Sequence, residues 1–177
     1  MKKIILLVTS IIACATCFAQ QPGSYEQYIR EIEKEMGTWI ADNTQYKSDQ
    51  EPYDAYGLEW KKGSVGTTLI GRLFGLKDGK EVGTFWEFIR YWDPVKKETI
   101  VMQFGADGTM GTGALTHTGE NSIELLQVFS QPGGVSYRVG HRTTVGKEDE
   151  RTGTSYSINE KNEWQQNRTY TWKRKKE

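Results

Sequence analysis

Cysteine, proline and histidine are scarce in this chain of 177 residues, which contains two cysteines, four prolines and two histidines. Both cysteines, Cys14 and Cys17, lie within residues 1–19. Once that segment is removed, the remaining chain has no disulfide, no thiol nucleophile and no thiolate metal site. The low proline content excludes a proline-rich linker protein.

An excess of one charge is also missing, because 23 basic residues balance 23 acidic ones. Without a basic stripe, we expect no nucleic-acid partner. The sequence lacks the serine-hydrolase elbow, the zinc-protease helix motif and the phosphate-binding loop. Its two histidines, His117 and His141, fall on different predicted strands. We therefore expect no metal ion, no cofactor and no catalytic residue.

Residues 1–19 have the pattern of a secretory signal peptide. Two lysines precede an apolar run over 4–13, and small residues in 17–19 predict cleavage before Gln20. The apolar run is too short to span a bilayer as a helix. We expect an exported protein, either periplasmic or secreted. An alternative is a bacterial lipobox that ends at Cys14, and only a lipidated Cys14 would anchor the protein to a membrane.

Residues 20–36 contain one predicted helix, over 24–36. Ser24 and Gln27 form a capping box at its start, and Gly37 follows its end. One face of the helix is apolar and carries Tyr25, Tyr28, Ile29, Ile32 and Met36. The charged residues are assigned to the other face: Arg30, Glu31, Glu33, Lys34 and Glu35.

Residues 37–177 are predicted to form one β domain. Apolar alternation with a period of two recurs in segments separated by short turns, of which Asp78-Gly79 is one. The predicted strands are 38–43, 56–62, 67–76, 81–92, 98–105, 109–117, 122–130, 135–145, 151–158 and 164–173. Consecutive hairpins favour a meander, and closure hides its edges. The expected fold is all-β: an antiparallel up-and-down barrel of about ten strands with one short N-terminal helix.

Three short motifs carry a family resemblance. Gly37-Thr38-Trp39 is similar to the Gly-x-Trp signature of lipocalins and other calycins. The motif Arg90-Tyr91-Trp92-Asp93-Pro94 and the closing segment 168–174 resemble a family of uncharacterised secreted bacterial proteins, a domain of unknown function. The resemblance implies a lipocalin-like barrel over about residues 36–175. It also implies that Arg168 or Lys173, from the last strand, packs across Trp39.

This family resemblance also bears on ligands. Lipocalin-like barrels often hold small apolar molecules. The distantly similar nitrobindins bind haem through a histidine near the C-terminal end, and here no histidine follows His141. A haem site of that kind is therefore not expected.

Strand alternation predicts which side chains face the barrel interior. The apolar inward sets are Leu58 and Trp60; Trp86 and Phe88; Ile100, Met102 and Phe104; Ile123, Leu125 and Phe129; Val135, Tyr137 and Val139; and Trp164, Tyr170 and Trp172. The same parity turns four polar residues inward: Arg90, Gln127, His141 and Arg168. A buried arginine requires an ion pair, a wet cavity or a ligand. The candidate ligand-binding residues are Trp60, Trp86, Arg90, Gln127, Tyr137, His141, Arg168 and Tyr170.

The parity of segment 81–92 is ambiguous. Its opposite face is also apolar, with Phe85, Ile89 and Tyr91. Either that outer face is covered, for example by the N-terminal helix, or the assignment of inward and outward faces is reversed. Reversal would turn a different polar set inward, namely Glu87, Gln103 and Arg138.

The function that these patterns favour is an exported barrel that binds a small, partly apolar ligand, anionic if the inward arginines contact it. One alternative is a solidly packed barrel that acts through its surface. Another is an enzyme that uses His141 with Glu87 or Arg90 as acid–base groups in the cavity. The sequence leaves the ligand's identity and the oligomeric state open.

Overall fold

A computed structural model describes residues 23–147 and 149–176. The predicted signal peptide and the Cys14 lipobox lie outside the described residues. The elements in this part of the chain are α1 (Tyr25–Glu35), a 3-10 turn (Thr44–Tyr46), β1 (Gly37–Asp42), β2 (Ala55–Lys62), β3 (Leu69–Lys77), β4 (Lys80–Asp93), β5 (Glu98–Gly105), β6 (Met110–Gly119), β7 (Ser122–Ser130), β8 (Ser136–Val145), β9 (Glu150–Ile158) and β10 (Trp164–Arg174). Each predicted strand is present, with its ends within about two residues of the prediction.

The ten strands form a closed antiparallel barrel in sequence order. Strand β1 closes it by pairing with both β2 and β10. The predicted all-β up-and-down barrel is thus confirmed. Closure leaves no free edge to pair with another chain. The predicted hairpin turn after β3 is confirmed too, since Asp78 and Gly79 have φ angles of 50° and 72°.

Helix α1 begins and ends where the local sequence predicts. The Ser24 hydroxyl accepts the backbone N–H of Gln27 at 3.1 Å. Gly37 follows with a φ of 111°, a left-handed value that suits glycine after a helix. The Gln27 side-chain amide instead donates to Glu31 Oε1 at 2.9 Å, one turn further along the helix.

Helix α1 covers one end of the barrel. Tyr28 and Ile32 are buried against Trp39, Trp60 and Leu69. The Tyr28 hydroxyl lies 2.8 Å from the Thr67 carbonyl oxygen and 3.1 Å from that of Arg90, and it can donate to either. Burial raises the pKa of Tyr28 to about 12. These contacts fix the helix across the mouth. Within residues 23–147 and 149–176, no helix combines the length and apolar character that crossing a bilayer requires.

The face of β4 that was predicted to point into the barrel is the one that does so. Trp86, Phe88 and Arg90 line the interior, whereas Glu87 is exposed. The outer face of β4 is not covered by α1, because Ile89 remains 37% exposed. Of the alternative polar set, Arg138 is also outside, where it donates to Asn162 Oδ1 at 2.6 Å.

The parity predicted for β5 is wrong. Val101 and Gln103 line the interior in place of Ile100, Met102 and Phe104. Val101 pairs with Arg90, and Gln103 with Phe88, so these residues share the inward face. Both faces of β5 are apolar, so alternation within the strand could not choose between them.

Trp164 was predicted to face inward and lies outside. Its ring packs edge-on against Tyr156 at 5.3 Å, and the exposed Arg142 guanidinium lies 4.4 Å from its centroid. A register shift between Gln166 and Thr169 changes the parity along β10. A β-bulge reverses the alternation on its two sides, and nothing in the local pattern signals it.

The tight packing of Gly113 in β6 against β7 gives a test of the barrel wall. A Cβ added at Gly113 would collide with the backbone carbonyl of Leu126, which cannot rotate away. We expect Gly113→Ala to lower the free energy of unfolding by about 2 kcal/mol, measured by urea denaturation. Gly133→Ala is the control, since its Cβ would meet nothing within 4 Å. Equal midpoints for the two variants would contradict this packing.

Candidate ligand-binding cavity

The barrel interior contains a cavity of about 340 Å³ that is partly open to solvent. Large apolar side chains form much of its wall, among them Trp60, Trp86, Phe88, Leu125 and Trp172. Arg90, Arg151, Arg168 and Glu35 bring charge to the same wall. A volume of this size, with aromatic side chains and several polar groups on its wall, lies in the range of small-molecule sites.

Six of the eight predicted site residues line this cavity: Trp60, Trp86, Arg90, His141, Arg168 and Tyr170. The other two do not. Tyr137 stacks on Phe129 at 5.4 Å between ring centroids and is 39% exposed. Gln127 shares the inward face of β7 with Leu125 but is fully buried, and its amide atoms have no hydrogen-bond partner in residues 23–147 and 149–176.

Arg90 is one of two guanidinium groups buried beneath α1. It is 5% exposed, and its Nη2 donates to Glu31 Oε2 at 3.0 Å. Its Nε–H has no partner within the described part of the chain. Glu31 also contacts His117, with Oε1 lying 2.8 Å from Nε2. Glu31 thus joins α1 to both β4 and β6.

Arg151 is the second buried guanidinium. It is 7% exposed, and its Nη1 donates to Glu35 Oε1. No described residue accepts a hydrogen bond from its Nη2. The guanidinium carbon lies 4.1 Å from the centroid of the Trp39 ring, a cation–π contact. Arg151 was not predicted, because it alternates with Gly153 and Ser155, which provide no apolar stripe.

The basic residue of the last strand that packs on Trp39 is Arg174, at 4.2 Å from the ring centroid. The prediction of Arg168 or Lys173 at this position is wrong. The bulge in β10 turns Arg168 into the cavity. Lys173 is 71% exposed and lies 3.9 Å from Glu150.

The assignment of Glu31 and Glu35 to the solvent face of α1 is wrong. Both side chains are turned to the barrel end, on the same helix face as Tyr28 and Ile32. Residues four apart place their Cβ atoms about 5–6 Å from each other. The two carboxylates therefore reach two arginines that approach the same face of α1. Charged residues normally lie on the solvent-exposed face of a helix. Glu31 and Glu35 depart from this rule because Arg90 and Arg151 lie opposite them.

Arg168 is held by an ion pair of its own. Its Nη1 and Nη2 donate to the two carboxylate oxygens of Glu51 at 2.5 and 2.7 Å. This bidentate contact lowers the pKa of the Glu51 carboxyl. The neighbouring Tyr170 hydroxyl donates to Asn43 Oδ1 at 2.8 Å, and burial raises its pKa. These contacts fasten the segment that follows β1 to β10.

The fold and the interior define a class: a closed ten-stranded antiparallel β-barrel with an internal cavity. No protein-family model matches the chain. A search of curated proteins found no match either. Among the described residues, no group of three or more histidine, cysteine or acidic side chains is arranged to hold a metal ion.

His141 provides a pH test of the interior. Burial lowers the pKa of His141 to about 4, from 6.5 for a free histidine. Above pH 6.5 both folded and unfolded states are neutral there. As the pH falls from about 6.5 to 4, only the unfolded state gains a proton, so stability is lost. We expect the wild type to lose about 2 kcal/mol more than His141→Gln over this window.

The measurement is urea unfolding of both proteins at several pH values. Taking the difference between the two removes the titration of all shared groups. Parallel stability curves for the two proteins would show that His141 is not buried as described.

Proposed function

We propose that this barrel binds a small, partly apolar molecule whose polar end presents oxygen acceptors. The observation that carries the proposal is a cavity of about 340 Å³ whose wall combines aromatic rings with polar side chains, among them Arg90, Gln103 and His141. An anionic end, predicted from the inward arginines, is one group of this class. A neutral carbonyl is another.

The apolar part of the ligand would lie among aromatic rings. Trp60 and Phe88 pack at 5.4 Å, and Trp86 contacts Phe129 edge-on at 5.7 Å. Aromatic walls bury much apolar area of a ligand and favour flat or extended bodies. Apolar contacts of this kind would contribute affinity for ligands of many different structures.

The polar end would lie beside the polar side chains of the wall. Arg90, Gln103 and His141 line the cavity, and each carries N–H groups of a type that donates to a ligand oxygen. Polar side chains beside aromatic rings support a ligand of mixed character.

Two alternatives have less support. A barrel filled by its own side chains would not leave a cavity of about 340 Å³. An enzyme using His141 with Glu87 would need the two side chains together, but Glu87 lies on the outer surface. With Arg90 instead, the low pKa of His141 is poorly matched to proton transfer near neutral pH.

We further propose a calycin relationship and export. The Trp39–Arg174 contact between the first and last strands supports a relationship to lipocalin-like barrels. Removal of residues 1–19 would place the mature protein in the periplasm or outside the cell. Mass spectrometry of the protein from its host's envelope would give a chain that starts at Gln20, or at lipidated Cys14 in the alternative.

Filling the cavity tests the proposed function. Leu125 lines the cavity, whereas Val128 on the same strand is 49% exposed. We expect Leu125→Trp to weaken binding of the neutral fluorophore N-phenyl-1-naphthylamine at least about tenfold, because the added ring occupies the ligand's volume. Fluorescence titration measures the dissociation constant.

Val128→Trp is the matched control and should bind the fluorophore as the wild type does. Thermal unfolding of both variants shows whether the barrel remains folded. Equal affinities for all three proteins would mean that the fluorophore binds outside the cavity. No binding by the wild type would contradict a ligand-binding interior.

A further inference from the structure

We propose that the ligand has a flat or extended apolar body and carries along one edge hydroxyl groups, or similar groups that both donate and accept hydrogen bonds. This inference rests on the proposed function, because it specifies the class of molecule that the same cavity accepts. It extends the polar end of that ligand into a polar edge. The observation behind it is that the aromatic rings and the uncharged polar side chains lie on opposite sides of the cavity.

One side of the cavity is apolar and largely aromatic. The residues that line it from β2, β3 and the middle of β4 are Leu58, Trp60, Leu73, Trp86 and Phe88. The Trp60 and Phe88 rings pack at 5.4 Å between centroids. Gly71 leaves room for the Trp60 ring on β3, since a Cβ there would lie 2.5 Å from Trp60 Cε3. The apolar face of a ligand would lie against these rings.

The opposite side of the cavity is polar. In a closed barrel of ten strands in sequence order, β8 lies across the interior from β3. Strand β8 contributes His141 and Thr143 to the wall, and β9 contributes Gly153 and Ser155. The register pairs His141 with Ser155 and Thr143 with Gly153. These four neighbouring residues form what we call the polar strip.

The side chains of the polar strip can both donate and accept hydrogen bonds. A neutral histidine has one nitrogen of each kind, and a threonine hydroxyl does both. Burial keeps the pKa of His141 low, so this residue is neutral at neutral pH. The Ser155 hydroxyl already lies 3.4 Å from the backbone N and O of Arg168. His141 and Thr143 therefore provide the strip's main uncharged partners for a ligand, and ligand hydroxyls match them.

Gly153 forms a recess within the polar strip. A Cβ at this position would lie 3.6 Å from Thr143 Oγ1 and 3.6 Å from Trp172 Nε1. The indole N–H of Trp172 thus approaches the recess from β10, and it is a hydrogen-bond donor. Polar atoms from β8 and β10 therefore meet at one place on the strip.

The rest of the wall adds little uncharged polarity. Strands β6 and β7 contribute Leu115, Ile123 and Leu125. Tryptophans apart, Gln103 on β5 is the one uncharged polar side chain among the described cavity residues that lies outside β8–β10. Each arginine of the wall pairs with a carboxylate. The uncharged hydrogen-bonding side chains are therefore concentrated on one side.

Two isomers that differ only in the placement of their hydroxyl groups test the inference. In 2,7-dihydroxynaphthalene both hydroxyls lie on one long edge, whereas in 2,6-dihydroxynaphthalene they lie on opposite edges. At about pH 7 both molecules are uncharged, because a phenol titrates at about pH 10. We expect the wild type to bind the 2,7 isomer at least about fivefold more tightly, because the 2,6 isomer turns one hydroxyl towards the aromatic side. Isothermal titration calorimetry gives both dissociation constants.

Thr143→Val removes one hydroxyl of the polar strip while nearly keeping the shape of the side chain. It should weaken binding of the 2,7 isomer about threefold or more and affect the 2,6 isomer less, so that the preference falls. Thr144→Val is the matched control, because Thr144 is the next residue of β8 and is exposed. It should leave both dissociation constants unchanged.

Gly153→Ala tests the recess. The added Cβ meets its neighbours at ordinary van der Waals distance, so we expect the barrel to fold. The methyl group occupies the space between Thr143 Oγ1 and Trp172 Nε1, and the preference for the 2,7 isomer should fall here too. Thermal unfolding of each variant reports whether it remains folded.

The outcomes are distinct. Tighter binding of the 2,7 isomer, reduced in Thr143→Val and kept in Thr144→Val, supports a ligand with one polar edge. A preference that Thr143→Val and Gly153→Ala both retain overturns the assignment to the polar strip. Equal affinities for the two isomers, or tighter binding of the 2,6 isomer, overturn the polar edge and leave a ligand-binding barrel in place.

The failure of the proposed function would look different. If N-phenyl-1-naphthylamine binds and neither isomer does, the polar edge is wrong while the binding barrel stands. If the fluorophore and both isomers all fail to bind, the proposed function fails and the polar edge fails with it. If a variant does not fold, the ranking of the two isomers by the wild type still decides the question.

Discussion

The pairing of two helix carboxylates with two buried guanidinium groups is the constraint on which the interior depends. Arg90 and Arg151 are almost fully buried, and a lone charge at such a position would be strongly destabilising. Glu31 and Glu35 supply the counter-charges, which they can do only with α1 seated across the barrel end. The ion pairs therefore hold α1 across the end of the barrel and keep the two arginines compatible with burial beside the cavity.

Closure of the sheet sets the remaining walls. Because β1 pairs with both neighbours, every strand contributes one face to the interior, and bulges adjust which side chains that face contains. The register shift in β10 turns Arg168 inward and leaves Trp164 outside. Glu51 then reaches Arg168 from the segment after β1, so the far end of the cavity is also held by an ion pair.

Each of the three arginines on the cavity wall pairs with a carboxylate. Their positive charges are therefore balanced within the fold. The number of arginines by itself does not indicate the charge of a ligand.

Local pattern was sufficient for the fold. The period of two, the short turns and the capping residues around α1 predicted ten strands, one helix and a closed meander, since each of these depends on neighbours in sequence. It also placed six of the eight candidate residues on the cavity wall. It failed for β5, where both faces are apolar, and for Trp164, beyond an unsignalled bulge.

What the sequence by itself determined is thus the barrel, its strand order and most of its inward faces. Only the tertiary structure decided that Glu31 and Glu35 face inward, that Arg151 joins the site, and that Arg174 contacts Trp39. The physical reason is that a buried charged side chain is stable only beside a group of opposite charge, so the position of that group decides where it points. Glu31 and Arg90 are 59 residues apart along the chain, and Glu35 and Arg151 are 116 apart, so no local periodicity indicates these pairs.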